Sequence, residues 1–203
     1  MVPVDDATGL AGLVLCGGAS RRMGLDKALL PVDGERLVDR AARRLAAVAH
    51  PVILACGGRP LTVPGCLLAP DADEGLGPLA GLVAGLALAP HVLTAVVAVD
   101  MPWFDTGIHA AMAASWRDED ALIPLSGHGA EPLHGVFART ALPVLEDALG
   151  ARRLRLGEAL ARLRVRHVDA AGLVGAARAA RFATNLNTRA DLLTLRASAP
   201  AAG

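Results

Sequence analysis

The residues with the clearest chemical potential lie between 13 and 31, in LVLCGGASRRMGLDKALLP. An apolar run ends at Cys16, and the residues after it supply Gly17, Gly18 and Gly24 together with Arg21, Arg22 and Lys27. Glycines let a backbone approach a ligand closely and take positive φ, and successive free N–H groups then form an anion-binding concavity. With three cations added, the segment suits a polyphosphate. Two other phosphate motifs are excluded by spacing. Five residues separate Gly18 from Gly24, and Leu25 follows where a Walker A loop has Lys; a GxGxxG fingerprint is also missing.

Lys27 carries a separate argument. Of 20 basic residues 19 are arginine, so Lys27 is the single lysine of the chain. A compact, strongly hydrated ammonium differs physically from a guanidinium fork and suits point contact with phosphate. The alternative is one more solvated charge. Asp100 follows the apolar run Val92 to Val99 and opens Asp-Met-Pro. A carboxylate at the mouth of a central strand suits a hard cation such as Mg²⁺, which takes one or two protein carboxylates plus substrate phosphates. Asp100 could instead be a helix N-cap, a role that Asp105 could also fill.

Two further segments offer polar groups. PDADEGLGP places Asp71, Asp73 and Glu74 before a Gly-Pro that should open a helix, where a carboxylate could meet a nucleobase or ribose, or simply a helix dipole. TNLNT spaces Asn185 and Asn187 by two before a helix opened by Thr188 or Thr184. One of the pair suits a cap, the two together a site. The six histidines show no ligand spacing and no Cys/His cluster suggests zinc. Ser20 and Ser126 lack a GxSxG context, so no hydrolase triad is indicated.

The elements that must hold these residues alternate along the chain. Apolar runs predict strands at Leu10 to Leu15, Val52 to Cys56, Cys66 to Ala69, Val92 to Val99, Ala121 to Pro124, Leu133 to Ala138 and Val165 to Asp169. Helical spacing predicts helices at Leu37 to His50, Leu79 to Ala89, Thr106 to Trp116, Thr140 to Leu149, Arg155 to Arg164 and Thr188 to Arg196. Such alternation implies an α/β layered fold with a mostly parallel sheet, whose ligands bind beyond the carboxyl ends of the strands. The segments to inspect are therefore 16–27, 57–60, 70–78, 100–104 and 126–132.

Composition bounds the function classes. At 203 residues, 53% hydrophobic and formal net charge zero, the chain is expected to form a single domain, with flexible tails at 1–8 and 197–203. It lacks the basic footprint of a general nucleic-acid or anionic-membrane binder. Residues 79–99 contain no Asp, Glu, Lys or Arg, yet Pro90 and His91 divide them into a Gly/Ala-rich helix and a Val-rich strand, so a membrane span is not expected. Cys16, Cys56 and Cys66 form no CxxC pair and leave one over, which fits a reducing cytoplasm.

With these residues in view, the chain resembles the molybdenum cofactor guanylyltransferase family within the wider nucleotidyltransferases, from about Leu10 to Leu193. LVLCGGASRRMGLDKALL is similar to that family's LAGGxSxRMGxDKxLL, and GLGPLAGL, AVDMP, EPLHGVF and TNLNT follow in order. The resemblance implies a Rossmann-like three-layer nucleotidyltransferase fold. It implies GTP binding by Leu15, Cys16, Gly17, Gly18, Lys27 and Asp71, with Asp100 on nucleotide and Mg²⁺. Arg152, Asn185 and Asn187 would face the pterin, and Lys27, Asp100, Arg21 and Arg22 would carry the chemistry. Cys16 stands where Ala is usual, Ala55 where the family can carry a nucleotide-binding Asn, and Arg189 where Pro is usual. Gly17 inclines the choice towards guanine, because related cytidylyltransferases carry Ala-Ala-Gly there.

The reaction so implied transfers GMP from GTP to molybdopterin or its molybdenum-loaded form and releases pyrophosphate. Molybdoenzymes or their chaperones are the protein partners expected; nucleic acid and membrane are not. A cytidylyl- or sugar-phosphate nucleotidyltransferase of the same fold is the alternative enzyme. A GTP-binding module without catalysis is the alternative outside enzymology.

Overall fold

The computed structural model describes residues 9–16, 26–59, 61–69, 76–186 and 191. Gly17, Gly18, Arg21, Arg22, Asp71 and Asn187 lie outside the described residues, as do both expected tails and, Asp191 apart, the expected closing helix.

In chain order the strands are β1 (Leu10–Leu15), β2 (Pro31–Val32), β3 (Glu35–Arg36), β4 (Val52–Ala55), β5 (Leu67–Leu68), β6 (Leu93–Ala98), β7 (Ala121–Ser126), β8 (Gly129–Ala130), β9 (Val136–Ala138) and β10 (Val165–Asp169). The α-helices are α1 (Leu37–Leu45), α2 (Gly77–Leu88), α3 (Thr106–Ser115), α4 (Leu142–Gly150), α5 (Leu156–Leu160), α6 (Ala170–Val174) and α7 (Ala176–Phe182). The main sheet has the order β10-β7-β9-β6-β1-β4-β5, with β8 paired to β7. Strand β9 runs antiparallel to both β6 and β7, and β8 antiparallel to β7; every other pair in this sheet is parallel.

The sequence explains this order. LAGLVL, VILA and LTAVVA lack alternation because helices cover both faces, and the sheet's middle is accordingly buried. Helix α1 packs Leu37, Val38, Ala41, Ala42 and Leu45 against Val14, Leu54 and Val97. Ile108 of α3, Ala170 of α6 and Phe182 of α7 cover Leu122 and Val136 on that same face. The opposite face buries Leu13, Leu15, Ile53 and Val96 under α2, α4 and α5. Gly85 permits the contact of α2 with β1, since a Cβ there would lie 2.4 Å from both Leu13 methyl carbons.

Several expectations change. The strand expected over Leu133 to Ala138 is a 3-10 turn at Pro132–His134 followed by the short, reversed β9. Pro132 fixes φ and donates no N–H, and His134 N donates to Glu131 O at 3.0 Å, closing the turn instead of a ladder. The helix expected over Leu37 to His50 ends at Leu45 and continues as turns, and that over Arg155 to Arg164 is confined to Leu156–Leu160. The β2–β3 hairpin was not anticipated, although Asp33-Gly34 (φ 52° and 79°) is the residue pair a two-residue primed turn favours.

Candidate active site

Strands β4, β1 and β6 end level. Leu15 is in register with Ala55 on one side and with Ala98 on the other. Cys16 N donates to Ala55 O at 2.9 Å and Val99 N to Leu15 O at 3.0 Å, so Leu15 and Cys16 form a floor whose backbone is tied into the sheet. Asp100 emerges beyond this floor, and Met101 N donates to Ala98 O at 3.1 Å to turn the chain away.

Lys27 reaches the same edge from the other side of the glycine-rich segment. Asp26 Oδ1 accepts from Ala28 N at 3.0 Å, capping the 3-10 turn Lys27–Leu29. Lys27 Nζ then lies 3.0 Å from Asp100 Oδ2, with side chains 19% and 28% exposed. The two residues that the sequence singled out separately are thus an ion pair that a solvent-borne ligand can reach.

The N-cap alternative for Asp100 is settled by its neighbour. Asp105 Oδ1 accepts from Gly107 N at 2.8 Å and so caps α3. Burial alone would raise the Asp105 pKa, but Arg178 and the Gly107 N–H outweigh it and hold the carboxyl below its usual value. The connection between Asp100 and Asp105 is held firmly. Arg44 donates to Phe104 O at 2.6 Å with its guanidinium 4.9 Å from the Phe104 ring centre. Trp103 lies between Arg40 and Arg181, at 5.5 and 5.0 Å.

Leu186 is buried and its N donates to Asp100 O at 2.8 Å, which docks the start of TNLNT against the aspartate and leaves Asn185 exposed beside it. Arg152 is exposed, has φ 53° and follows the end of α4, as the second residue after its last. Cys16 is a buried thiol whose pKa is pushed up by its hydrogen bond with Cys56 and by burial, which suits a packing residue and not a nucleophile.

One set of contacts at this edge is not marked in the sequence. Arg59, in the segment after β4, donates from Nε to Cys56 O at 2.8 Å, from a terminal nitrogen to Cys16 O, and pairs through its other terminal nitrogen with Asp26. Arginine is the default cation of this chain, so nothing in its type marks it. Among the described residues no group of three or more His, Cys, Asp or Glu comes together as a metal cage.

Residues 12–168 match the MobA-like NTP transferase domain. A Pelotomaculum thermopropionicum protein named "probable molybdenum cofactor guanylyltransferase" is 33% identical over 192 residues, covering 93% of this chain and 92% of its own. The solved structure of molybdopterin-guanine dinucleotide biosynthesis protein A from Archaeoglobus fulgidus superposes with a TM-score of 0.78 at 24% identity, covering 92% of this chain and 97% of its own. A Mycobacterium tuberculosis protein solved in complex with manganese shares the fold at a TM-score of 0.69 and 19% identity, over 95% of this chain and 100% of its own. With its sheet order, its carboxyl-edge lysine and aspartate and these likenesses together, the chain belongs to the MobA-like NTP transferase family, among the molybdenum cofactor guanylyltransferases.

Proposed function

We propose that this protein transfers GMP from GTP to the terminal phosphate of molybdopterin, or of its molybdenum-loaded form, and releases pyrophosphate. The observation that carries the reading is the Lys27–Asp100 ion pair at the ends of β1 and β6, in a chain of this family. A carboxylate kept for ligand and a unique ammonium stand 3.0 Å apart where an open α/β sheet receives nucleotides.

The donor set fits a divalent cation such as Mg²⁺: Asp100 is a hard oxygen ligand, partly exposed, and relieved of capping by Asp105. When bound there, the cation supplies neutralisation of phosphate charge and alignment of phosphate oxygens. The chain's own residues do the remainder. The acceptor phosphate is ionised at neutral pH and needs no general base, so positioning and charge stabilisation dominate. Lys27, with Arg21 and Arg22, holds the charge that accumulates on the leaving pyrophosphate, and Gly17 and Gly18 admit the triphosphate to backbone N–H groups over the floor of Leu15 and Cys16. Asp71 serves the nucleoside, while Asn185, Asn187 and Arg152 serve the pterin. Three thiols outside any disulfide accord with work in the cytoplasm, where molybdoenzymes or their chaperones would collect the product.

The test is a comparison of GTP, CTP and ATP with molybdopterin as acceptor, read as dinucleotide formed and pyrophosphate released. Product with GTP and Mg²⁺ is expected. Preferential use of CTP would move the protein to the cytidylyl branch, and tight GTP binding without pyrophosphate release would make it a binding module.

A further inference from the structure

Cys16 is the last described residue before the glycine-rich segment 17–25, and Asp26 is the first after it. One guanidinium touches both. Gly57 and Gly58, at φ 64° and 73°, turn the chain after β4 and present Arg59 to the carboxyl edge. Its Nε donates to Cys56 O at 2.8 Å, which anchors the fork to β4, while its two terminal nitrogens reach Cys16 O and the Asp26 carboxylate. Asp26 Oδ1 also caps the turn that begins with Lys27. A chain of contacts therefore runs from β4 through Arg59 to both flanks of the segment and on to the Lys27–Asp100 pair.

We propose that Arg59 is a positioning residue that clasps the two flanks of the phosphate-binding segment, fixing the span between Cys16 and Asp26 and so placing Lys27 opposite Asp100. This rests on the reading that residues 17–27 receive a nucleoside triphosphate. The geometry requires arginine. Three separate acceptors are met by three different nitrogens of one guanidinium, which a five-donor fork satisfies and a single ammonium does not. The Arg59 charge is met by Asp26, so its contribution to the triphosphate is indirect. A fixed span between Cys16 and Asp26 lowers the entropy cost of holding Lys27 against a bound triphosphate.

The test uses full-length wild type, Arg59→Lys, Arg59→Ala, Asp26→Asn and the double variant Arg59→Ala/Asp26→Asn. GTP binding with Mg²⁺ is followed by calorimetry, turnover by pyrophosphate release, stability by thermal melting, and the clasp alone by tryptic cleavage after Arg21 and Arg22 without nucleotide. Loss of one or two charge-assisted hydrogen bonds is expected to weaken GTP binding and raise its KM about 10- to 100-fold, with kcat at saturating GTP falling less. Cleavage after Arg21 and Arg22 should quicken about tenfold, Arg59→Lys should not rescue, and the double variant should bind no worse than the poorer single one.

Wild-type affinity in Arg59→Lys would overturn the clasp, as would losses that multiply in the double variant, since those mark a direct phosphate ligand. A lower melting temperature with unchanged affinity and cleavage would reduce Arg59 to a structural residue. If the wild type binds no nucleoside triphosphate, the proposed function fails instead, and the cleavage rates decide the clasp without it.

Discussion

Lys27 stands where charge alone is a poor description of what a residue does. Its partner Asp100 lies 3.0 Å away, and both side chains are partly exposed, so the pair adds only about 0–1 kcal/mol to stability. Replacing Lys27 by Ala is therefore expected to leave the urea midpoint nearly unchanged. Catalysis should respond differently, because removal of one preorganised donor to a charge-developing oxygen typically costs about 10²–10³ in kcat. Lys27→Arg should lose most of that activity despite keeping its charge, and a variant turning over at the wild-type rate would remove the argument from the solitary lysine. These residues were legible for unequal reasons. Lys27 differs from the other 19 cations in type, and Asp100 interrupts an apolar run, so both leave a mark in the sequence. Arg59 has the commonest cationic type in the chain and acquires its role from three acceptors, just past β1, just past β4 and at Asp26, that only folding assembles.

At the scale of elements, the site depends on how closely α2 rides on β1, because that contact fixes Leu13 and, two residues on, Leu15 of the floor. Two glycines set helix propensity against that close packing. Gly157 in α5 is exposed, and a Cβ there meets nothing within 4 Å, so Gly157→Ala should gain up to about 1 kcal/mol from helix propensity. Gly85→Ala gains the same propensity but places its Cβ 2.4 Å from both Leu13 methyls and 2.9 Å from Leu13 Cγ, in a fully buried side chain. Overpacking of about 1–3 kcal/mol should win, giving a net loss seen as a lower urea midpoint, and a midpoint above wild type would refute that ordering. Periodicity revealed the parallel core because β1, β4 and β6 are continuous apolar runs. It failed at Leu133 to Ala138, where a proline and a tight approach of Gly135 to Leu122 O and Ile123 impose a turn on residues that are apolar enough for a strand. Helices α6 and α7 passed unread because AAGLV and AARAARF are short and small-sided, and they form by docking on α3 and the sheet.

The molecule as a whole carries a latent acid sensitivity in its core. His109 and His134 are fully buried with ring centres 4.1 Å apart, and His134 also packs 4.8 Å from Phe182 and 6.0 Å from Phe104. Burial pushes the His109 pKa down to about 4, against a hydrogen bond between its Nε2 and Val96 O that favours the charged form. Burial first and His109 second push His134 well below its ordinary value. An unfolded histidine titrates near 6.5, so between that pH and about 4 the unfolded chain binds protons that the folded one refuses. With more protons on the unfolded state, unfolding free energy rises with pH; conversely, stability is lost as pH falls from about 6.5 towards 4. The His109 shift alone corresponds to on the order of 3 kcal/mol. Carboxylates add a separate loss lower down. Burial raises the Glu119 pKa, but the Arg117 N–H and Arg166 hold it down to about 2, so its contribution disappears only below the ordinary carboxylate range. Urea unfolding of the wild type is expected to show a midpoint that declines steadily between pH 6.5 and 4, with imidazole resonances of His109 and His134 that do not titrate above pH 5. A midpoint flat across that window, or either ring titrating near 6.5 in the folded protein, would contradict a neutral buried pair. A His109→Gln/His134→Gln protein should lose the slope between 6.5 and 4 and keep the carboxylate loss beneath it.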